Sequence, residues 1–162
     1  MARSMARTTK VALDAADRRI LQALQGDGRL PVVALAEQVG LSATPCQRRV
    51  RRLEETGVIR GYAAQLDPAC VGLPLQAFVQ VALQSHAEEV VERFHAALAQ
   101  RPEVIAAYTM SGEMDYLLHV LAPDMESFGD FATRALLRLP GVKETRSSFV
   151  LATLKPPGVV PV

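Results

Sequence analysis

Residues 41–54 read Leu41-Ser42-Ala43-Thr44-Pro45-Cys46-Gln47-Arg48-Arg49-Val50-Arg51-Arg52-Leu53-Glu54. Cys46, Val50 and Leu53 stand at i, i+4 and i+7, which places them on one stripe of a helix. At about 100° per residue, Thr44, Arg48, Arg51 and Arg52 lead the opposite side, with Gln47 and Arg49 on its flanks. The spacing therefore predicts a helix that is apolar on one face and cationic on the other. Thr44 as cap, Pro45 at the first helical position and Gln47 three residues on form a capping-box pattern, with Ser42 as the competing cap. Just upstream, Pro31 opens a segment about two turns long. Val32, Leu35, Ala36 and Val39 recur there at helical spacing, and Gly40 suits the left-handed position after a helix. A first helix is capped by Asp14, has Asp17 in its first turn and carries Ile20, Leu21 and Leu24 to a stop at Gly26-Asp27-Gly28. Those glycines are no phosphate loop, because neither GxxxxGK[ST] nor GxGxxG follows a strand here.

Two helices joined by Gly40-Leu41-Ser42, with arginines pointing outward from the second, make a helix-turn-helix plan over about residues 32–51. In that plan the second helix enters the DNA major groove. Ser42, Thr44, Gln47 and Arg48 then lie nearest the base edges, Arg51 and Arg52 are placed for phosphates, and Pro45 at the helix start belongs to the same DNA-binding set. A solvated arginine-rich face is the alternative, since charge runs often have no other role. The turn glycine, the paired helices and the one-sided core favour DNA.

Charge along the chain supports the division. The total is near neutral, 18 Lys+Arg against 17 Asp+Glu in 162 residues, yet residues 1–66 hold 11 against 6 and residues 67–162 hold 7 against 11. A basic module suited to an anion precedes an acidic module with a different task. The 49% of apolar residues suffices to bury cores. No apolar run approaches the roughly 18 residues of a membrane helix, and residues 1–10 show no export signal. Cys46 and Cys70 fit neither a disulfide framework nor a zinc site. The expected compartment is a reducing cytoplasm, in association with the nucleoid.

The acidic module alternates strand and helix. Leu75 to Leu83 reads as a strand. Ser85 and Glu88 then cap a helix with Val91, Phe94 and Leu98 on its apolar face. Val104 to Met110 and Asp115 to Leu121 are strands joined by Ser111-Gly112-Glu113-Met114. Asp124 caps a helix lined by Phe128, Phe131, Ala135 and Leu139 until Pro140-Gly141, and Val142 to Leu154 forms the last strand. The order βαββαβ is the ferredoxin-like split plan, a four-stranded antiparallel sheet with both helices on one face. The expected fold is thus α+β: a winged-helix-like three-helix domain at 13–66 after a flexible arm at 1–12, a linker at 67–74, a ferredoxin-like domain at 75–155 and a loosely held tail at 156–162. The bare sheet face predicts pairing with a second copy, hence a homodimer.

Leu41 to Cys46, Arg48 to Glu54, and Gly57-Val58-Ile59-Arg60-Gly61-Tyr62 resemble the Lrp/AsnC, or feast/famine, transcriptional regulators. So do Ser111-Gly112-Glu113-Met114-Asp115-Tyr116-Leu117-Leu118 and Leu136-Leu137-Arg138-Leu139-Pro140-Gly141-Val142, and the resemblance runs from about Leu13 to Leu154. It implies a hinge strand near Val58 to Leu66 and a domain that dimerises and assembles to tetramers or octamers. The effector it implies is an amino acid bound between dimers. An amino acid needs donors for its carboxylate and acceptors for its ammonium group. Gly112 admits backbone N–H groups to the anion, and the carboxylate of Asp115 or Glu113 suits the ammonium. By resemblance, Thr109, Ser111, Met125, Leu137, Ser148, Phe149 and Val150 shape or relay the response. Two departures bear on effector identity: Glu113 replaces a common Asp, and Ser148 stands where bulkier side chains are frequent.

His86, His95 and His119 show no metal-ligand spacing and read as surface or interface residues. No cofactor and no catalytic cluster is expected, so the chain reads as no enzyme. The competing function is an architectural, nucleoid-type DNA-binding protein without an effector.

Overall fold

The computed structural model describes residues 11–156 and 158–162. Most of the arm expected at 1–12 therefore lies outside the described residues. The chain divides into two compact units: the residues up to Gln65 together with Lys155–Val162, and Leu66–Leu154.

The first unit is built on α1 (Ala15–Gly26), α2 (Val32–Val39) and α3 (Ala43–Glu55). Asp14 and Asp17 cap α1 reciprocally: the Asp17 N–H donates to Asp14 Oδ1 at 2.8 Å and the Asp14 N–H to Asp17 Oδ2 at 3.1 Å. Gly40 ends α2 at φ 71°, ψ 41°, a conformation that costs a side-chain-bearing residue about 1–2 kcal/mol. Ile20, Leu21, Leu35, Ala36, Val39, Cys46 and Leu53 close the core. All seven belong to the apolar stripes expected for the three helices, and Leu24 and Val50 pack at the core's edge. Arg19 Nε donates to the Val39 carbonyl at 3.1 Å, giving the end of α2 a partner it lacks within its own helix.

The start of α3 differs from the expected capping box. Ser42, not Thr44, occupies the cap position, and its side chain makes no capping hydrogen bond. Helix numbering supplies the reason. Pro45 falls third in the helix, where a cap oxygen would receive the backbone N–H, and proline has none. The hinge strand expected near Val58 to Leu66 is not formed either. Residues 60–66 are exposed and irregular, with no strand among the described residues pairing alongside them. One anchor holds this segment: the Tyr62 hydroxyl donates to Glu54 Oε1 at 3.0 Å.

In the second unit, a one-turn helix at Ala69–Val71 leads into β1 (Leu75–Leu83), α4 (Glu88–Leu98), β2 (Val104–Thr109), β3 (Tyr116–Ala122), α5 (Met125–Asp130) and β4 (Val142–Phe149). The sheet order is β2-β3-β1-β4, antiparallel throughout, which is the ferredoxin-like arrangement. Ala77, Val79 and Val81 of β1 and Leu118 and Val120 of β3 point into the core with Phe94, Phe128, Phe131 and Leu136 from the helical layer.

Four local expectations change. Ser85 does not cap α4; its hydroxyl accepts the N–H of Ala87 at 3.2 Å in a local turn, and α4 begins at Glu88 behind Ala87. After α5 the chain passes through a π-helical turn, Phe131–Ala135, and a tight turn, Leu136–Arg138. The π turn inserts one residue, and Leu136 becomes fully buried, while Ala135 packs half-buried against the same core as expected. β4 stops at Phe149, leaving Leu151 and Leu154 exposed. The tail is held rather than loose: Val162 packs at the edge of the first unit's core. Gly141 is demanded by space as well as by its φ of 77°, since a β-carbon there would lie 2.3 Å from Val90 Cγ1.

Candidate DNA interface and effector site

Ser42, Thr44, Gln47, Arg48, Arg51 and Arg52 are all exposed along α3, with Pro45 half-buried at its start. An open cleft of about 600 Å³ runs over this face, lined by Thr44, Gln47, Arg48, Arg51 and Arg52 among others. The arginines divide into two pairs. Arg48 and Arg51 make no ion pair among the described residues, whereas Arg49 and Arg52 turn toward α1. Arg49 Nη1 lies 2.7 Å from Asp14 Oδ2 and 2.9 Å from Asp17 Oδ1, and Arg52 Nη2 pairs with Asp17 Oδ2. The Asp17 side chain is 1% exposed. A buried carboxylate is tolerated only when its lone pairs are met. Asp17 meets this condition with two guanidinium groups and the N–H of Asp14.

This anchor fixes the rotation of α3 against α1 and so decides which residues face outward. The Asp17 backbone N–H, and then the Arg49 guanidinium, hold the Asp14 carboxyl down at about 2. Those same two carboxylates hold the Arg49 guanidinium above its ordinary value, Asp14 contributing most. Asp17 and Arg49 were missed as site residues in the sequence. The available signal was an acidic first turn in the helix that must cross an arginine-rich one. Cys46 is buried beneath α3 and burial pushes its thiol up, away from the thiolate a nucleophile needs.

In the second unit the candidate effector residues fall into two groups. Thr109 pairs with Tyr116 at the β2–β3 hairpin end, next to Ser111, Gly112 (φ 122°), Glu113 and Asp115. Ser148, Phe149 and Val150 lie at the opposite end of the sheet, where Ala77 pairs with Phe149 and the Val150 N–H donates to the Gln76 carbonyl. Met125 follows β3 at that same end and is exposed, as is Leu137 on the helical layer. The length of β3 separates the two groups by about 20 Å. One copy of the chain does not bring them together.

Asp115 has a structural task. Its Oδ2 accepts the Leu83 N–H at 2.7 Å and its Oδ1 lies 2.6 Å from His86 Nε2. The His86 bond, and after it the Leu83 N–H, hold the Asp115 carboxyl below its usual range. Glu113 is the freer carboxylate, 88% exposed, with Arg146 at 3.8 Å as its one cation among the described residues. His95 Nε2 lies 3.0 Å from the Tyr116 hydroxyl. His119 stacks on Phe78 with centroids 4.7 Å apart on the sheet face away from the helices, and its Nε2 has no partner. Burial lowers its pKa. Among the described residues no group of His, Cys, Asp or Glu could hold a metal ion, and no helix is long and apolar enough to cross a membrane.

Comparison with known proteins agrees with both units. Residues 13–60 match the family model for a winged helix-turn-helix DNA-binding domain, and residues 76–160 the Lrp/AsnC ligand binding domain. The protein is a DNA-binding transcriptional regulator with a ligand-binding domain. It belongs to the Lrp/AsnC family. The leucine-responsive regulatory protein of Salmonella typhimurium is 45% identical over 143 residues, 88% of this chain and 87% of that protein. Its counterpart in Escherichia coli K12 is 44% identical over the same shares. Among solved structures, a transcriptional regulator from Neisseria meningitidis in complex with L-Met superposes with a TM-score of 0.89. It is 43% identical, and the match covers 93% of this chain and 97% of that one. An AsnC family regulator from Agrobacterium tumefaciens gives 0.84 and 40%, covering 89% and 94%.

Proposed function

We propose that this chain is a homo-oligomeric, sequence-specific regulator in which α3 reads the major groove and an amino acid, bound between dimers, modulates activity or assembly. The observation that carries the DNA assignment is the separation of the arginines. Asp14 and Asp17 hold Arg49 and Arg52, and this leaves Ser42, Thr44, Gln47 and Arg48 on the base-reading corner with Arg51 beside them for phosphate. Two such heads in a dimer address half-sites about 34–36 Å apart or a multiple of that.

The effector assignment rests on the ligand-binding domain and on the relative solved with L-Met. The location between dimers is supported by the two residue groups at opposite ends of one sheet. Copies packed together bring the hairpin of one to the Met125 and Ser148 end of another. Glu113 is the acceptor offered to the ammonium group, and the backbone around Gly112 supplies donors for the carboxylate. Pairing of two copies is supported by the outer sheet face, where Phe78 and Tyr108 are exposed and His119 keeps an unpartnered nitrogen.

The test is operator selection from a random DNA pool, then gel-shift titration with and without each amino acid alongside size-exclusion chromatography. A selected site, together with at least one amino acid that changes affinity or assembly, supports the proposal. Binding indifferent to sequence and to every amino acid refutes it in favour of the architectural protein. An effector acts only if it binds two states unequally, so an amino acid that binds without changing affinity or assembly is not the effector.

A further inference from the structure

Two glutamines on α1 grip the returning tail by its backbone. The Gln25 amide holds both main-chain groups of Val160: its Nε2 donates to the Val160 carbonyl at 3.0 Å and its Oε1 accepts the Val160 N–H at 2.6 Å. Gln22, one turn earlier, donates to the Val162 carbonyl at 3.4 Å. The Gln25 pairing reproduces with one side chain the exchange of two hydrogen bonds that joins neighbouring strands in a ladder. It selects an extended residue that still has its N–H. Val160 meets both conditions, because Pro161 confines the residue before it to extended backbone. Val160 as a residue is 66% exposed while both of its main-chain groups are held by Gln25, so the main chain is what is recognised. Val162 then packs, half-buried, against the cluster that includes Ile20 and Leu21.

We propose that α1 carries a docking site for an extended apolar strap, and that its occupant is residues 158–162 of the same chain. The strap joins the DNA-binding unit a second time to the chain that left it at Gln65. Seating it adds backbone partners and an apolar contact to the helix that already anchors the recognition helix through Asp17. Occupancy therefore stabilises the unit that reads DNA.

Hydrogen exchange at the Val160 amide of the full-length protein tests this directly. In the unaltered chain the amide is protected, and the protection is independent of protein concentration. Gln25→Ala lowers it by about five- to tenfold for the loss of a hydrogen bond. Gln25→Glu keeps an acceptor for the N–H but loses the donor, so its protection falls in between. A chain ending at Lys155 has a lower melting temperature for the first unit, and a synthetic peptide of residues 156–162 binds it while leaving the full chain untouched. Val160 exchange at the unstructured rate in the unaltered chain, or equal protection in Gln25→Ala, overturns the docking site. Protection that fades on dilution overturns the same-chain occupant. If the shortened chain does not fold, the two Gln25 variants still decide.

Discussion

Arg51 and Arg52 are neighbours in sequence, and the structure assigns them different work. Arg51 is exposed without an ion pair among the described residues, while Arg52 shares the buried Asp17 with Arg49. Replacing each by alanine therefore gives opposite signatures. Each phosphate contact contributes about 0.9 to the slope of log K against log salt, so losing one weakens the dependence between 50 and 200 mM by about 3.5-fold. Arg51→Ala removes that increment and leaves the melting temperature within the usual surface range. Arg52→Ala removes one of two guanidinium groups from a buried carboxylate. A hydrogen bond to a charged group is worth about 1.5–3 kcal/mol. Arg52 is 47% exposed and Arg49 stays on Asp17, so solvent screening reduces this to about 1–2 kcal/mol. In a domain of this size each kcal/mol lowers the melting temperature by about 4–8 °C. Fluorescence-anisotropy titration of an operator duplex at four salt concentrations, with calorimetric melting of both variants, gives the two axes. Equal slope losses with no change in melting for Arg52→Ala would refute the division of labour.

Arg48→Ala reduces preference for the selected operator over a scrambled duplex by about 1–3 kcal/mol, read as a ratio of affinities at one salt concentration. Glu113→Gln abolishes the response to the active amino acid without altering the melting temperature, whereas Asp115→Asn lowers the melting temperature of the second unit by weakening the ties to Leu83 and His86; thermal shift with and without ligand separates them. The Asp14 carboxyl, lowered from 3.8 to about 2, contributes stability that is present above its unfolded value and lost as pH falls through the folded one. The window is pH 4 to 2, and an Asp14→Asn chain loses this part of the acid dependence. His119 runs in the same direction at higher pH: burial disfavours its charged form, so stability declines as pH falls below about 6.5, and His119→Phe flattens that decline in an acid titration followed by circular dichroism.

The two-unit plan was legible because each element announces its own period and its own stops. Asp14 and Asp124 cap where a carboxylate precedes an apolar stripe, Gly40 turns where a left-handed residue is needed, and βαββαβ admits few sheet orders. Features set by neighbours distant in sequence were not legible. A shift of two residues in the start of α3 exchanges the roles of Ser42 and Thr44, and periodicity alone does not locate a helix boundary so finely. The π turn after α5 adds Leu136 to the core beside Ala135, which a constant period cannot express. Asp17 with Arg49 and Arg52, Asp115 with His86, and Gln25 with Val160 join residues 29 to 135 positions apart. The candidate effector residues were the least legible, because one copy places them at two ends of its sheet.

Pro45 removes one of the two backbone N–H groups that the Ser42 hydroxyl could accept at the start of α3, and this links fold stability to sequence reading through one missing proton. With any other residue at position 45, a backbone N–H would stand where Ser42 could accept it, and a good cap is worth about 1 kcal/mol to a helix. The native head forgoes that increment. A Pro45→Glu chain would melt higher because its first turn is closed on itself, and for that reason its serine would have less to offer a base. On the proposed mode of DNA reading, improving this helix as a helix works against it as a reader, and a screen that selects only for thermal stability would discard the hydroxyl assigned there to the groove.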